Sequence, residues 1–201
     1  PYPSVLRASR QNPAEQVLST AAVRAVKYAA DVTRPNLISF ALDLERDTID
    51  LTFDEPVAAG TLDVTGLTLS QYRTTEGSTF TLTNSSSVCK TAACNGLTHR
   101  VYLSSADRGA INSDAHLAYD AYTTFALVTS KLVKDIAGNA LTTLVSGAAL
   151  AASSYSPDST GPTLVDFSVD LDTGLLVLSF SELVRADSFD STGITLLESR
   201  P

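Results

Sequence analysis

The sequence predicts an all-β fold in which Greek-key β-sandwich repeats follow one another in tandem. Three observations predict it: a long internal recurrence, apolar and polar residues in alternation, and many short segments separated by turn residues. Residues 35–70 (first copy) recur without a gap at residues 162–197 (second copy), an offset of 127 positions. Identical positions in the first copy include Pro35, Leu37, Phe40, Asp43, Leu44, Leu51, Phe53, Glu55, Val57, Asp63, Gly66, Thr68 and Leu69. Such a recurrence identifies an array of large units.

The recurrence sets the predicted domain boundaries. One whole repeat is predicted at residues 34–160, which we call the central repeat, and a unit of this size can bury a core of its own. Upstream, Ala21, Ala22, Tyr28, Asp31 and Thr33 match Ala148, Ala149, Tyr155, Asp158 and Thr160. Residues 1–33 are therefore predicted to be the C-terminal part of a preceding repeat, and residues 161–201 the N-terminal part of a following one. Because the 201 residues contain no Met, we expect the native protein to be longer.

The central repeat begins with a predicted β-hairpin. Apolar and polar residues alternate in Leu37–Leu44 and in Thr48–Phe53, and a period of two is typical of half-buried strands. The join at residues 45–47 (ERD) is short and polar, and the second copy has DTG there, which suits a tight turn. Pro56 is predicted to end regular pairing, since proline has no N–H to donate to a ladder.

The rest of the central repeat predicts further short strands and one helix. The predicted strands are Thr65–Ser70, Thr79–Thr83, His99–Leu103, Thr123–Thr129, Lys131–Lys134 and a closing segment within residues 140–154. Residues 105–117 are the predicted helix and residues 84–97 a loop rich in Ser and Cys. Residues 135–139 (DIAGN) predict a turn, because Gly138 and Asn139 both tolerate positive φ. The predicted core includes Phe40, Phe53, Phe167 and Phe180. This series of short strands describes a Greek-key β-sandwich.

Composition and motifs exclude several classes of function. The formal net charge of −8 argues against nucleic acid as a partner. No apolar run approaches the roughly 18 residues that a membrane span needs. The chain lacks a Gly-x-Ser-x-Gly nucleophile elbow, and neither histidine has an evident catalytic partner. A carboxylate pair formed by Glu55 and Asp63 recurs as Glu182 and Asp190, whereas enzymes rarely repeat an active site along an array. We therefore predict that the protein is not an enzyme.

Two close cysteines predict a small disulfide-closed loop. Cys89 and Cys94 lie in the segment VCKTAACNG, and a loop this short contributes about 2 kcal/mol in the chain-entropy model. The alternative is part of a metal site, but neither histidine has a second Cys or His at ligand spacing. A disulfide favours an oxidising, extracellular setting. Asn84 begins an Asn-Ser-Ser sequon in the same loop and is a candidate glycosylation site.

These residues resemble a known family. The order of the segments PNLISF, LTFDEPV, TGLTL and VKDIAGN resembles bacterial-type Ig-like repeats, which occur in S-layer and adhesin proteins. Similar repeats also occur in very large surface proteins of algae and flagellate protists, including components of flagellar hairs (mastigonemes). The resemblance covers essentially the whole chain. It implies an elongated, extracellular, non-catalytic array of Ig-like domains.

The junctions between repeats carry the candidate cofactor site. Extracellular tandem β-sandwiches often fix the angle between domains with Ca²⁺, a hard cation that needs several oxygen ligands. The candidate ligands are Asp31 with Glu55 at the first junction, and Asp158 with Glu182, Asp135 or Asn139 at the second. The alternative interpretation is that the aspartates are turn residues and the glutamates end strands. Tyr28 and Tyr155, just before each linker, are predicted to pack between neighbouring repeats.

Two classes of function fit this sequence. The first is a structural building block of an extracellular filament or cell-surface array, whose partners are neighbouring repeats and other copies in lateral or polymeric contacts. The second is the stalk of a cell-surface adhesin that binds glycans or another cell. A spacer without a binding role is a third possibility. The variable loop 84–97 discriminates between the first two, because lattice contacts indicate structure and sugar binding indicates adhesion.

Overall fold

A computed structural model describes residues 18–184 and 186–197. Residues 1–17 of the predicted preceding repeat and residues 198–201 of the following one lie outside the described residues. The chain divides into two compact units between Asp31 and Val32. The described part is predominantly β, and its single α-helix is α1, Ser105–Ser113. The predicted β class and the predicted helix at residues 105–117 are confirmed at this level.

Two sheets form the central repeat. The larger is five-stranded in the order β5-β6-β2-β1-β9, and the smaller is four-stranded in the order β4-β3-β7-β8. The strands of the larger sheet are β1 (Leu37–Asp43), β2 (Thr48–Val57), β5 (Ser87–Val88), β6 (Gly96–Tyr102) and β9 (Ser154–Ser156). Those of the smaller are β3 (Leu67–Ser70), β4 (Thr79–Thr81), β7 (Phe125–Val128) and β8 (Leu150–Ala151). Neighbouring strands are antiparallel except for β1 and β9, which are parallel.

One hydrophobic cluster joins the two sheets. Four inward residues of β1 and β2 are at most 1% exposed: Phe40, Leu42, Leu51 and Phe53. They belong to the same buried cluster as Leu67, Leu69 and Val128 from the smaller sheet and Ile111 from α1. Burial of apolar side chains at about 25 cal/mol per Å² is the main stabilising contribution. Alternation along the strands therefore decides which face of each sheet is buried.

The second copy forms a hairpin with the same register as the first. Its strands are β10 (Leu164–Asp170) and β11 (Leu175–Phe180). Leu164 pairs with Phe180 as Leu37 pairs with Phe53, and both hairpins carry an irregularity one residue further on. At equivalent turn positions Asp47 has φ 55° and Gly174 has φ 67°, a region that glycine occupies without steric cost. The sequence prediction of a tight turn in the second copy is confirmed.

Four sequence predictions differ from the structure. Lys131–Lys134 forms an isolated bridge from Lys134 to Ala140 and no strand, because Leu132 and Val133 are both fully buried and do not alternate. The predicted loop 84–97 contains β5, and β2 runs past Pro56 to Val57 with a shift of register against β6. Phe167 is 51% exposed, unlike its counterpart Phe40, because β10 and β11 form a separate two-stranded sheet.

Candidate functional site

The linker that follows the central repeat is held by the turn between β1 and β2. The Glu45 carboxylate accepts hydrogen bonds from Ser159 N (2.9 Å), Ser159 Oγ (2.8 Å) and Thr160 Oγ1 (2.8 Å). Asp158, just before them, accepts a hydrogen bond from Asn112 Nδ2 on α1 at 3.1 Å. The linker is thereby attached to two different elements of the central repeat. Glu45 was not a sequence candidate, since a polar turn residue carries no signal for a contact 114 positions away.

A partly buried cation bridges the central repeat and the second copy. Arg108 on α1 places Nη1 3.5 Å from Asp47 Oδ2 and Nη2 3.9 Å from Glu182 Oε2. The Arg108 and Glu182 side chains are only 20% and 12% exposed. The other carboxylate oxygens of Asp47 and Glu182 are buried and accept no hydrogen bond from the described residues. The guanidinium therefore supplies positive charge to the largely buried Glu182 carboxylate and to Asp47, whose side chain is 37% exposed.

Close packing accompanies this ion pair. A Cβ placed on Gly109 of α1 would lie 2.7 Å from Cδ2 of Leu183, which follows β11. Glycine thus lets the second copy approach the helix backbone closely. Beside this contact lies an open cleft of about 560 Å³. Its lining includes Leu44, Ile111, Leu117, Tyr155, Pro162 and Leu183. The cleft is part of the junction and brings together residues of the central repeat, the linker and the second copy.

Neighbouring carboxylates of the turn have pKa values displaced in opposite directions. The hydrogen bonds from Ser159 and then Thr160 lower the pKa of Glu45 to about 2. Burial raises the pKa of Asp47, against the attraction of Arg108, and the negative charges of Asp158 and Asp43 raise it further. Hydrogen bonds to an ionised carboxylate favour its charge and desolvation opposes it. Glu45 is therefore ionised at neutral pH, as an acceptor of these three hydrogen bonds.

Of the ligands predicted for the second junction, Asp135 and Asn139 lie apart from Asp158, whereas Glu182 lines the same cleft as Asp158. Asp135 is 3% exposed and accepts hydrogen bonds from Asn139 N and Asn139 Nδ2, both at 2.7 Å. Its backbone bridges Val57, and one of its carboxylate oxygens lies within 4.8 Å of one of Glu55. The charge of Asp158 instead raises the pKa of Asp47, which directly precedes β2. Asp135 bridges the last residue of β2, about 30 Å from its first residue along a strand of this length. Asp135 and Asn139 therefore cannot join Asp158.

The Asp135–Asn139 segment is a well-defined turn, as predicted. Gly138 has φ 99° and donates its N–H to Asp135 O at 3.3 Å. Burial tends to raise the pKa of Asp135, but hydrogen bonds from Asn139 and from nearby backbone N–H groups outweigh it and lower the pKa. Glu182 forms an ion pair with Arg108, as described above. Asp31 lies on the surface, and calcium binding at these carboxylates stays a prediction.

The two predicted interface tyrosines differ in environment. Tyr155 is half-buried, packs against the core and donates its hydroxyl to Ala118 O at 2.6 Å. It also lines the cleft with Pro162 and Leu183. Tyr28 is 84% exposed. Packing of Tyr28 between repeats stays a prediction.

The cysteine loop lies at the surface of the central repeat. Cys89 and Cys94 form a disulfide with their Cα atoms 6.2 Å apart. Asn84 of the sequon is exposed, whereas Ser86 is 7% exposed and donates its hydroxyl to Asp107 Oδ2 at 2.6 Å. Asp107 also accepts hydrogen bonds from Thr83, so it attaches this loop to α1. Occupancy of Asn84 by a glycan stays a prediction.

Comparison with known proteins gives structural neighbours and no family. No family model matches the sequence, and no curated protein matches it. Solved structures similar to this one include the N-terminal part of the bacterial S-layer protein SbsC (19% identity, 73% of this chain and 31% of that one, TM-score 0.37). Others are rSbsC(31-844) (18%, 73% and 18%, TM-score 0.33) and SbsC domains 1-6 (17%, 74% and 18%, TM-score 0.34). This chain spans less than a third of each, and TM-scores below 0.5 do not establish a shared fold.

Within residues 18–184 and 186–197, no helix combines the length and the apolar character that a bilayer span demands.

Proposed function

We propose that this chain is a structural building block of an extracellular or cell-surface array, in which successive Ig-like repeats are held at a defined angle by their junctions. The observation that carries the proposal is the triple attachment at residues 156–183. Glu45 binds the linker, Arg108 pairs with Glu182, and Leu183 packs on Gly109. A chain whose only task is to tether needs no such contacts, because a flexible linker suffices.

Three further features support the proposal. The two sheets of the central repeat share one core, the arrangement expected of an Ig-like sandwich. The Cys89–Cys94 disulfide suits an oxidising compartment. The net charge of −8 keeps an exposed array soluble and away from nucleic acid. Neither a catalytic role nor a cofactor is part of the proposal; junction calcium is an additional hypothesis tested by chelation.

Electron microscopy of the intact protein in its native surface material tests this function. A regular fibre or sheet with a constant spacing between globular units is the expected result. Separate flexible strands that end in a distinct tip would contradict it and favour the stalk of an adhesin. The same preparations treated with EDTA test calcium, since loss of the regular spacing would assign the junction carboxylates to a metal. Labelling of intact cells with a membrane-impermeant reagent checks the surface location independently.

A further inference from the structure

The sequence contains a single Asn-Gly step, Asn95-Gly96, directly after the loop that the Cys89–Cys94 disulfide closes. An asparagine side chain can react with the backbone nitrogen of the next residue, and glycine hinders this reaction least because it has no Cβ. Asn95 is exposed and Gly96 is half-buried, so water reaches the site. The most reactive amide of the sequence therefore stands at the beginning of β6.

The fold does not require glycine at residue 96. A Cβ placed on Gly96 would meet no atom within 4 Å, and its φ lies outside the left-handed region. By contrast, a close backbone approach requires glycine at Gly66, and a positive φ favours it at Gly138. Packing and backbone conformation would therefore accept alanine at residue 96, and the chemistry of the Asn-Gly step is what glycine changes.

Three contacts hold Asn95 in a geometry that does not react. Its Oδ1 accepts a hydrogen bond from Ala59 N at 2.9 Å, its N–H donates to Ala92 O at 3.2 Å, and Cys94 before it is fixed by the disulfide. Ring closure requires the Gly96 nitrogen to turn about ψ of Asn95 towards Cβ, whereas ψ is 134°. The side chain and the backbone of Asn95 must both be released before the reaction can proceed.

We propose that Asn95-Gly96 is a deamidation site that the closed disulfide loop keeps inactive. Reduction of Cys89–Cys94 by an external dithiol, which becomes a disulfide itself, activates the site. The Gly96 nitrogen then bonds to Cγ of Asn95, the bond from Cγ to Nδ2 breaks, and ammonia leaves with the proton of the Gly96 amide. Water opens the resulting succinimide ring at either carbonyl and gives aspartate or isoaspartate. A reversible redox event thereby leaves a permanent change, and this modification is independent of the proposed array function.

The two products differ in what they do to the fold. Aspartate in place of Asn95 keeps a side-chain oxygen that can accept from Ala59 N. Isoaspartate carries the main chain through the former side chain and so adds one backbone atom just before β6. Gly96 pairs with Val57 at the end of β2, and Val57 also bridges Asp135. Isoaspartate therefore disturbs the strand end that carries the Asp135 turn, whereas aspartate leaves it in place.

Peptide mass spectrometry of the complete chain measures deamidation at Asn95. The chain is incubated in mildly alkaline buffer with its disulfide intact or after reduction with a dithiol, and circular dichroism follows the fold of both forms. Reduction is expected to accelerate deamidation about tenfold, because the open loop restricts Asn95 less. Isoaspartate methyltransferase measures the share of isoaspartate. Equal rates in the two forms would overturn the proposal. Unfolding on reduction would also overturn it, because the disulfide would then act through the whole fold and not through the loop.

Two variants and an internal reference complete the test. The double substitution Cys89→Ser and Cys94→Ser should deamidate at Asn95 as fast as the reduced chain, without any dithiol. Gly96→Ala is the matched control: it should fold as the wild-type chain does and slow the reaction of the reduced form at least about tenfold. Asn84 is exposed and followed by Ser85, and its rate should not respond to reduction. A Gly96→Ala chain that reacts as fast as the wild type, or an equal response at Asn84, would refute the site.

Discussion

The backbone of Gly66 lies against that of Leu132, so closely that a Cβ on Gly66 would stand 2.5 Å from Leu132 N. Gly66 precedes β3 and Leu132 lies in the buried crossing after β7. The counterpart of Gly66 in the second copy is Gly193, and a Cβ placed on Gly193 would have no atom within 4 Å. Two residues with the same local sequence thus meet different steric demands.

Gly66→Ala should therefore destabilise the central repeat by about 3 kcal/mol, because a backbone contact cannot yield as a flexible side chain can. Gly193→Ala should change the free energy of unfolding by less than about 0.5 kcal/mol. Urea denaturation followed by tyrosine fluorescence measures both. Equal effects of the two substitutions would show that the close approach is not what requires glycine at residue 66.

The linker contact at Glu45 should be lost in acid. The folded-state pKa of Glu45 is about 2, below the ordinary value of 4.5, so its stabilising effect is complete above pH 4.5 and disappears as the pH falls through 2. Asp47, whose pKa is raised, has the opposite pH dependence. Its contribution to folding stability is complete below its unfolded-state pKa and is lost as the pH rises through the raised folded-state pKa. Carbon-13 titration of the two carboxyl groups distinguishes them directly.

Replacement of Glu45 by Gln should release the linker at neutral pH. Exchange of the Ser159 amide is expected to accelerate about three- to tenfold, because the neutral side chain is a weaker acceptor and the site is exposed. Asp54→Asn is a suitable control, since Asp54 makes a comparable pair of bonds to Asn36 at the other end of the hairpin. Unchanged exchange at Ser159 would refute the role of Glu45.

Arg108→Gln should destabilise the junction by about 1–2 kcal/mol, because the largely buried carboxylate of Glu182 would be left without a cation. Arg100→Gln is the matched control. Arg100 contacts Asp50 at 2.6 Å, but its side chain is 51% exposed, and exposed ion pairs contribute little. Urea denaturation measures both variants. A larger loss of unfolding free energy in Arg100→Gln would show that the nitrogen–oxygen distance, and not burial, determines how much these ion pairs contribute.

The disulfide should contribute about 2 kcal/mol to stability. Reduction, or the double substitution Cys89→Ser and Cys94→Ser, is expected to lower the free energy of unfolding by this amount while leaving the far-ultraviolet circular dichroism spectrum unchanged. The loop lies at the surface and only Cys94 packs against the core. A free-thiol assay that finds both cysteines reduced in the native protein would remove the support that the disulfide gives to an extracellular location.

Local patterns predicted the hairpins well. Alternation in β1 and β2 is a short-range signal, and the second copy repeated it with the same register. The prediction of a strand at residues 131–134 was wrong because two consecutive buried apolar residues, Leu132 and Val133, look like a short apolar strand in the sequence. Here apolar residues report burial and not pairing.

The junction was predicted less completely, for a physical reason. The recurrence identified Asp158 and Glu182, but not the residues of the central repeat that receive them. Glu45 and Arg108 lie in a turn and on a helix face, where charged residues are usually solvated. Their contacts become visible only when elements more than 70 residues apart along the chain are brought together, as Arg108 and Glu182 are.

The parallel pairing of β1 with β9 has a mechanical consequence. β1 opens the central repeat and β9 closes it, so tension along the chain draws the two strands in opposite directions along their common axis. Their hydrogen bonds, including Leu44 N to Ser156 O, are then loaded together in shear instead of being opened one by one. Force spectroscopy should show a higher rupture force for end-to-end pulling than for pulling from residue 44 against residue 156. Such a repeat resists stretching most strongly along the line that joins its two ends.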